Sequence, residues 1–248
     1  MKKILLLVVL FILSLQANDQ KITLGIGPYI QSQPYKNTSD IVLPSPVIFF
    51  DNGLLYVRWS RVGLYFYGKK SDTLSWGFSL TAQPRPFGYK PSDSSVLNGM
   101  DERKTSFEGG LAFSASYHNK EYIEVMFLHD LLHRNDGYIV RSEIGDKFEL
   151  GKWTFYPSII MIYQSQKFLN YYYGVKTTEA TPLRGAYQTT DGFEYGVQTY
   201  IKYPFTKKLS MLTNVRYDRL SSTVTKSPIV QDNYIYSALF SLIYTFNY

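Results

Sequence analysis

Apolar and polar residues alternate along much of this chain, and the longest alternating run is at the C-terminus. In residues 234–248 every even position is aromatic or aliphatic, whereas the odd positions include Ser237, Ser241, Thr245 and Asn247. A period of two residues places the even positions on one face of a β-strand. Strands of soluble domains average about five or six residues, and a tilted strand that crosses a bilayer needs about 9 to 11. The pattern therefore predicts a membrane-spanning strand.

The same period recurs upstream. It is clearest in residues 74–82, 106–117 and 192–203, where an apolar face opposes a small or polar face. Weaker candidate strands are residues 22–30, 47–50, 55–59, 62–67, 122–130, 138–145, 153–163 and 211–219. Segments of this kind are typical of transmembrane β-barrels, whose strands alternate between lipid and lumen. The fold class predicted is all-β, a transmembrane antiparallel β-barrel with twelve strands.

The lengths of the connections favour this arrangement. If the chain starts in the periplasm, the longer connections (31–45, 83–105, 131–137, 166–190 and 221–233) all fall outside, and short ones such as Asp51-Asn52-Gly53 and Gly145-Asp146 fall inside. Outer-membrane barrels have short periplasmic turns and longer extracellular loops. An alternative with ten strands, in which residues 54–67 form one strand, leaves the long connections on the same side of the membrane. Twelve is favoured over this alternative.

The N-terminus predicts export. Lys2 and Lys3 precede an apolar run from Ile4 to Leu15, and Ala17 offers a small residue for cleavage. This is the pattern of a secretory signal peptide, and twelve apolar residues are fewer than the roughly 20 of a helical span. The predicted organisation is a signal peptide over residues 1–17 and a single barrel domain over residues 18–248, in the outer membrane of a Gram-negative bacterium.

The amino-acid composition excludes several classes of site and partner. The chain has 23 tyrosines, no cysteine and a formal charge of +6, which falls to +4 when Lys2 and Lys3 are removed. Tyrosine suits the membrane interface, because its ring enters the acyl region while its hydroxyl stays among head groups. The absence of cysteine excludes disulfides, thiolate metal sites and lipoprotein acylation. No basic patch indicates nucleic-acid binding. Lipid and lipopolysaccharide are the expected surroundings, with the barrel-assembly machinery as a partner.

Charged residues also fall on the inward face of the predicted strands. They carry both signs: Arg58, Arg61, Glu108, Glu124, Arg141, Glu143, Glu194, Lys202, Arg216 and Asp218. In a narrow barrel such residues pair across the lumen. The inward face of the last strand is half apolar, with Ile235, Leu239 and Ile243 among Ser and Thr. We therefore expect a filled interior and not an open pore.

Several ordered segments carry a family resemblance. They are Pro44-Ser45-Pro46-Val47-Ile48, the run from Leu97 to Lys104, Tyr171-Tyr172-Tyr173-Gly174-Val175 with Glu179-Ala180, Tyr217-Asp218-Arg219-Leu220, and Ser227-Pro228-Ile229-Val230. With these segments the chain resembles the MipA/OmpV family (MltA-interacting protein family) of outer-membrane β-barrels. The resemblance implies a non-catalytic scaffold for murein-remodelling enzymes, a transglycosylase or a synthase, or a surface-interaction protein. It supplies no catalytic residues.

The residues themselves give little support to an enzyme. His129 and His133 lie near the outer end of a strand, within reach of Asp136, and His118 lies in a predicted periplasmic turn. A hydrolase would use a histidine beside a nucleophile, yet two histidines on a short loop are more often solvated. We predict no catalytic, cofactor-binding or metal-ligating residue and no cofactor. The alternatives are a small outer-membrane channel and a lipid hydrolase that uses His129 and His133.

Overall fold

The computed structural model of the protein describes residues 21–84 and 88–247, so the predicted signal peptide lies outside the described residues. Thirteen β-strands form one antiparallel sheet. They are β1 (Lys21–Gln31), β2 (Ile41–Asp51), β3 (Leu55–Arg58), β4 (Arg61–Lys69), β5 (Leu74–Pro84), β6 (Phe107–Tyr117), β7 (Glu121–Asp130), β8 (Tyr138–Gly145), β9 (Phe148–Leu150), β10 (Trp153–Gln164), β11 (Gly192–Pro204), β12 (Leu209–Arg219) and β13 (Tyr234–Asn247).

The sheet closes on itself because the first strand pairs with the last. Ile22 is opposite Phe246, and Ile30 is opposite Ala238. Strands β8 and β9 pair in succession with β10, so they form a single interrupted strand of the wall. The result is a closed barrel of twelve strands, which confirms the predicted fold class. The ten-strand alternative is wrong, because β2 is a full strand and β3 and β4 form a separate hairpin.

Side chains alternate between the two faces of the wall as the sequence predicts. In β13, Phe240 and Leu242 are exposed on the outside, whereas Leu239, Ser241 and Ile243 are buried on the inside. In β5, Phe78 and Leu80 are exposed and Ser79 and Thr81 are buried. The exposed apolar band belongs against lipid, where every backbone polar group of a spanning segment must be satisfied within the protein.

Two connections differ from the prediction. The chain does not turn at Gly145-Asp146, because the Asp146 amide donates to the Pro157 carbonyl at 3.0 Å and the chain continues alongside β10. The turn comes later, at Gly151, whose positive φ of 60° suits glycine. Strand β2 begins at Ile41, six residues before the predicted start at Val47. Pro44 and Pro46 interrupt the strand pattern in the sequence, yet residues 41–46 pair with the second half of β1.

The long connections gather at one end of the barrel and the short ones at the other, as predicted. The periplasmic turns include His118-Asn119, where both residues have positive φ, as in a tight hairpin turn. The extracellular connections contain 3-10 turns at Pro91–Asp93, Ser95–Leu97 and Thr177–Glu179 and two short helices, α1 (Gln166–Tyr173) and α2 (Ser222–Thr225). Within the described ranges no helix is long and apolar enough to cross a membrane.

Candidate functional site in the barrel lumen

An ion-pair network crosses the middle of the lumen and centres on Glu124 of β7. Its carboxylate accepts from Arg58 at 3.2 Å and from Arg61 at 2.6 Å, and Arg141 lies 3.7 Å away. Arg141 also pairs with Glu143 at 2.5 Å. Because Arg58 and Arg61 belong to the β3–β4 hairpin and Glu124 to β7, these contacts span the barrel. They confirm the prediction that inward charges of opposite sign pair across the lumen.

A second set of pairs continues along β11 and β12. The Arg216 guanidinium donates to Asp218 at 2.7 and 2.8 Å and lies 3.7 Å from Glu194. Glu194 in turn accepts from the Gln164 amide at 3.1 Å. Buried charges that are paired and hydrogen-bonded in this way avoid the large cost of an isolated ion. One side of the lumen is therefore a polar wall of compensated charges.

Another part of the lumen wall is apolar. Val47, Leu212, Leu239 and Ile243 form a buried cluster. Four larger side chains pack against this cluster and are only partly buried: Tyr29, Phe49, Trp59 and Tyr200. The predicted half-apolar inner face of the last strand is confirmed for Leu239 and Ile243, whereas Ile235 packs near the extracellular end. The lumen thus has a polar wall and an apolar wall, which adjoin on β11 and β12.

These walls line a cavity of about 1610 Å³. Its lining extends from Lys21 and Asn119 at the periplasmic end to Gln83 and Ile139 higher in the barrel. The expectation of a filled interior is therefore wrong for this part of the lumen. The small inward side chains of β5 and β6, such as Ser75 and Ser114, leave the space open.

The extracellular mouth is closed by a packed cap built from the long connections. Its apolar core contains Tyr35, Tyr89, Leu97, Met100, Phe168, Leu169, Tyr172, Val224, Ile229 and Val230. This core rests on upper lumen residues such as Leu128 and Ile160, which are fully buried. Hydrogen bonds tie the connections together. Tyr35 donates to the Tyr172 carbonyl at 3.3 Å, and Ser227 donates to the Tyr173 carbonyl at 2.6 Å.

A buried ion pair fixes the polar part of the cap. Nη2 of Arg103 lies 2.9 Å from both carboxylate oxygens of Glu179, and both side chains are 3% exposed. Burial alone would raise the pKa of Glu179. The backbone amides of Lys176 and Asp101 and the Arg103 guanidinium all stabilise the carboxylate, however, and the net effect is a lowered pKa. Arg184 donates to the Glu179 carbonyl and to the Asn98 carbonyl, which links two connections.

Most of the segments that carry the family resemblance meet in this cap, whereas Pro44-Ser45-Pro46-Val47-Ile48 lies in β2. Met100 and Arg103 come from the run from Leu97 to Lys104, Tyr172 and Glu179 from the tyrosine-rich segment with Glu179-Ala180, and Ile229 from the last segment. The sequence had placed all of these in loops and had assigned them no common role. Their high content of Tyr, Ile and Val in nominal loops was the signal that could have revealed a packed core.

His129 and His133 each contact an acidic residue, or its carbonyl group, at the end of β7 or in the β7–β8 connection. His133 Nδ1 lies 2.8 Å from Asp136 Oδ1 on an exposed surface, and His129 Nδ1 lies 3.0 Å from the Asp130 carbonyl. The predicted proximity of His133 to Asp136 is thus confirmed. In the part of the chain that the structure describes, no cluster of three or more His, Cys, Asp or Glu could hold a metal ion.

Comparisons with known proteins agree with this architecture. A family model described as MltA-interacting protein MipA matches residues 24–246. The chain is 29% identical over 220 residues to the MltA-interacting protein of Escherichia coli (strain K12), covering 87% of this chain and 86% of the relative. It is 31% identical over 171 residues to outer membrane protein OmpV of Vibrio cholerae, covering 69% and 65%.

Solved structures similar to the chain are outer-membrane barrels. The translocator domain of the autotransporter NalP from Neisseria meningitidis shares 9% identity and a TM-score of 0.46, over 99% of this chain and 95% of that one. The family match extends over nearly the whole barrel, from β1 to β13. The chain therefore belongs to the MipA family, and it is an outer-membrane β-barrel of the MipA/OmpV type.

Proposed function

We propose that this barrel is a non-catalytic scaffold that docks a murein-remodelling enzyme, a transglycosylase or a synthase, at its periplasmic end. A relative bears the name MltA-interacting protein, which points to a partner of that kind. The shape of the molecule supports the same side for docking. The extracellular mouth is closed by a packed cap, whereas the cavity lining reaches the periplasmic end.

One periplasmic connection offers the surface for a partner. Strand β8 leaves its neighbour β7 at Gly145, which is opposite Tyr122, and the chain then continues for five residues to Leu150. The β9–β10 hairpin therefore extends beyond the end of β7. Phe148 and Leu150 on this hairpin are exposed. This extension is the observation that carries the proposal, because the other periplasmic turns are tight.

The edge of β9 suits an extended segment of a partner. In the described residues β9 pairs only with β10, so its other edge presents free backbone groups. Lys147 and Glu149 on the hairpin pair with each other at 2.9 Å and leave the edge electrically balanced. An exposed sheet edge binds an extended peptide by adding a strand, with specificity from alternate side chains.

Site-specific photo-crosslinking in growing cells tests the proposal. A photoreactive residue at Glu149 or Lys152 should trap a murein transglycosylase or synthase. The same residue at Asn119, in the tight β6–β7 turn, is the matched control and should trap much less. Recovery of only the barrel-assembly machinery from all three positions would contradict the scaffold.

The cavity supports a second candidate, a small channel. A channel would require the cap to open, since Phe168 and Leu169 of α1 are buried against the upper lumen. Purified protein in planar bilayers should then conduct, and charge reversal at Arg216 or Glu194 should change the conductance. A silent bilayer would remove this candidate. The lipid-hydrolase alternative predicts turnover that is lost in a His129→Ala, His133→Ala double variant.

A further inference from the structure

The barrel wall is incomplete between β2 and the β3–β4 hairpin. Strand β2 has eleven residues, but in the described part of the chain β3 pairs with only its last three, Phe49 to Asp51. One more bond follows, from the Trp59 amide to the Ile48 carbonyl at 2.8 Å. Among the residues that the structure describes, β2 pairs from Ile41 to Val47 with β1 alone and presents a free edge.

Two prolines keep this edge free. Pro44 is opposite Pro28 of β1 and Pro46 is opposite Ile26, and neither proline of β2 has an N–H to donate. In an antiparallel ladder the backbone groups of alternate residues point to the same side. Those of Pro44 and Pro46 therefore point away from β1, towards the free edge, as the Ile48 carbonyl does. Proline is confined to edge strands for this reason, and it protects an edge against pairing.

The free edge lies at the depth of lipid. Val42 is exposed on the outer face of β2, and Val62 and Leu64 are exposed on the outer face of the β4 wall beyond the gap. Carbonyl groups at a bare edge are costly in hydrocarbon unless water or a ligand satisfies them. The cavity lining includes Leu43 and Ser45 of β2, so the lumen reaches this part of the wall.

Trp59 occupies the gap. It has a φ of +59°, an unfavourable backbone conformation for a bulky residue. Its indole Nε1 donates to Ser45 Oγ at 3.0 Å, and its ring packs edge-on against Tyr29 with centroids 5.5 Å apart. Through these contacts the Trp59 side chain attaches the turn after β3 to β2, beyond the last backbone hydrogen bond between the two strands.

We propose that this gap is a lateral portal, closed by Trp59, through which an acyl-chain lipid of the outer membrane enters the lumen. The two lumen walls match the two parts of such a molecule. The apolar cluster begins at Val47 and Trp59 beside the gap and continues to Leu212 and Leu239, which suits an acyl chain. Arg58, next to Trp59 in sequence, pairs with Glu124, and its side chain is still 35% exposed, so its free side suits a phosphate-bearing head group.

Trp fluorescence in vesicles containing dibrominated phosphatidylcholine tests the proposal. The chain has three tryptophans, so a Trp76→Phe, Trp153→Phe variant reports Trp59 alone. Two further reporters are built in a background with Trp59→Phe as well. Tyr200→Trp reports the apolar wall, and Tyr122→Trp reports the polar wall, where the tyrosine hydroxyl donates to Glu143. Heat-dependent mobility in gels verifies that each variant is folded.

The bromolipid should quench Trp59 and the Tyr200→Trp reporter strongly and should quench the Tyr122→Trp reporter much less. Quenching at all three positions to the same extent would mean that bromine acts through the wall, and it would overturn the proposal. Absence of quenching at Trp59 and at the Tyr200→Trp reporter would overturn it as well. Quenching at Trp59 without any at the Tyr200→Trp reporter would show that lipid stops outside, which also contradicts entry into the lumen.

Discussion

Arg103 and Glu179 lie 76 residues apart in the chain and form a buried ion pair in the extracellular cap, with Nη2 at 2.9 Å from both carboxylate oxygens. The pair joins the connection after β5 to the one after α1. It therefore links two of the extracellular connections that form the packed cap. Arg103 also donates to the Tyr171 carbonyl at 2.6 Å, so the end of α1 depends on the same guanidinium.

Removal of one member of this pair should open the cap. Arg103→Ala leaves the Glu179 carboxylate buried without its cation, and breaking a buried pair in this way costs about 3–5 kcal/mol. We expect trypsin to cleave the extracellular connections of intact cells faster while the barrel stays folded. Lys176→Ala is the matched control, because its pair with Asp101 is solvent-exposed. Equal protection of both variants would show that the pair does not hold the cap.

The cap should also loosen in acid. The pKa of Glu179 is lowered in the folded protein, so its carboxylate contributes stability above the ordinary glutamate pKa. This stabilising contribution is lost as the pH falls through the lowered pKa that Glu179 has in the folded protein. Hydrogen-exchange protection of α1, corrected for the intrinsic rate, should therefore drop in that acidic range. In Glu179→Gln the protection should be lower at neutral pH and depend less on pH, and an unchanged profile would contradict the assignment.

The central carboxylate of the lumen should matter for the stability of the barrel. Glu124→Gln leaves Arg58, Arg61 and Arg141 around a neutral amide. By the same estimate for broken buried pairs, the loss is about 3–5 kcal/mol in the free energy of unfolding. Urea titration of the protein in detergent micelles measures it. Glu149→Gln on the exposed hairpin is the control, and a midpoint equal to that of Glu124→Gln would refute a special role for the network.

Closure of the barrel should depend on Gly27. A Cβ at this position would overlap the carbonyl oxygen of Phe240 across the β1–β13 seam. We expect Gly27→Val to reduce the amount of closed barrel, measured by heat-dependent mobility in gels. Gly185→Val, in a loop with open space around its Cα, should assemble normally. Normal assembly of Gly27→Val would mean that the seam can shift to make room.

The prolines of β2 should protect the free edge against self-association. In a Pro44→Val, Pro46→Val variant the edge regains two N–H donors, which favours pairing with a second copy. Light scattering in detergent should then detect dimers that the unmodified protein lacks. Pro157→Val in β10 is the control, because Pro157 is already opposite Thr199 within a paired strand. A monomeric double variant would contradict the protective role.

Much of the barrel could be predicted from the sequence, because alternation is a local property of each strand. The spacing of residues such as Phe78 and Leu80 is enough to show which side chains face outward. Because successive strands alternate in direction, the side of each connection then follows. The start of β2 and the whole of β9 were not predicted, since two prolines interrupt the pattern of β2 and β9 has only three residues, too few to show a period. The sequence identified the charged residues that point into the lumen. It did not show which carboxylate each arginine contacts.

The amino-acid pattern alone was enough for the all-β class and for the two faces of most strands, because burial against lipid or lumen imposes a period of two. The remaining features depend on how the strands and connections are arranged in space. The cap joins Arg103 to Glu179, and the gap beside Pro44 and Trp59 depends on where β3 stops. These features arise from contacts between segments far apart in the chain, for which no periodic pattern exists.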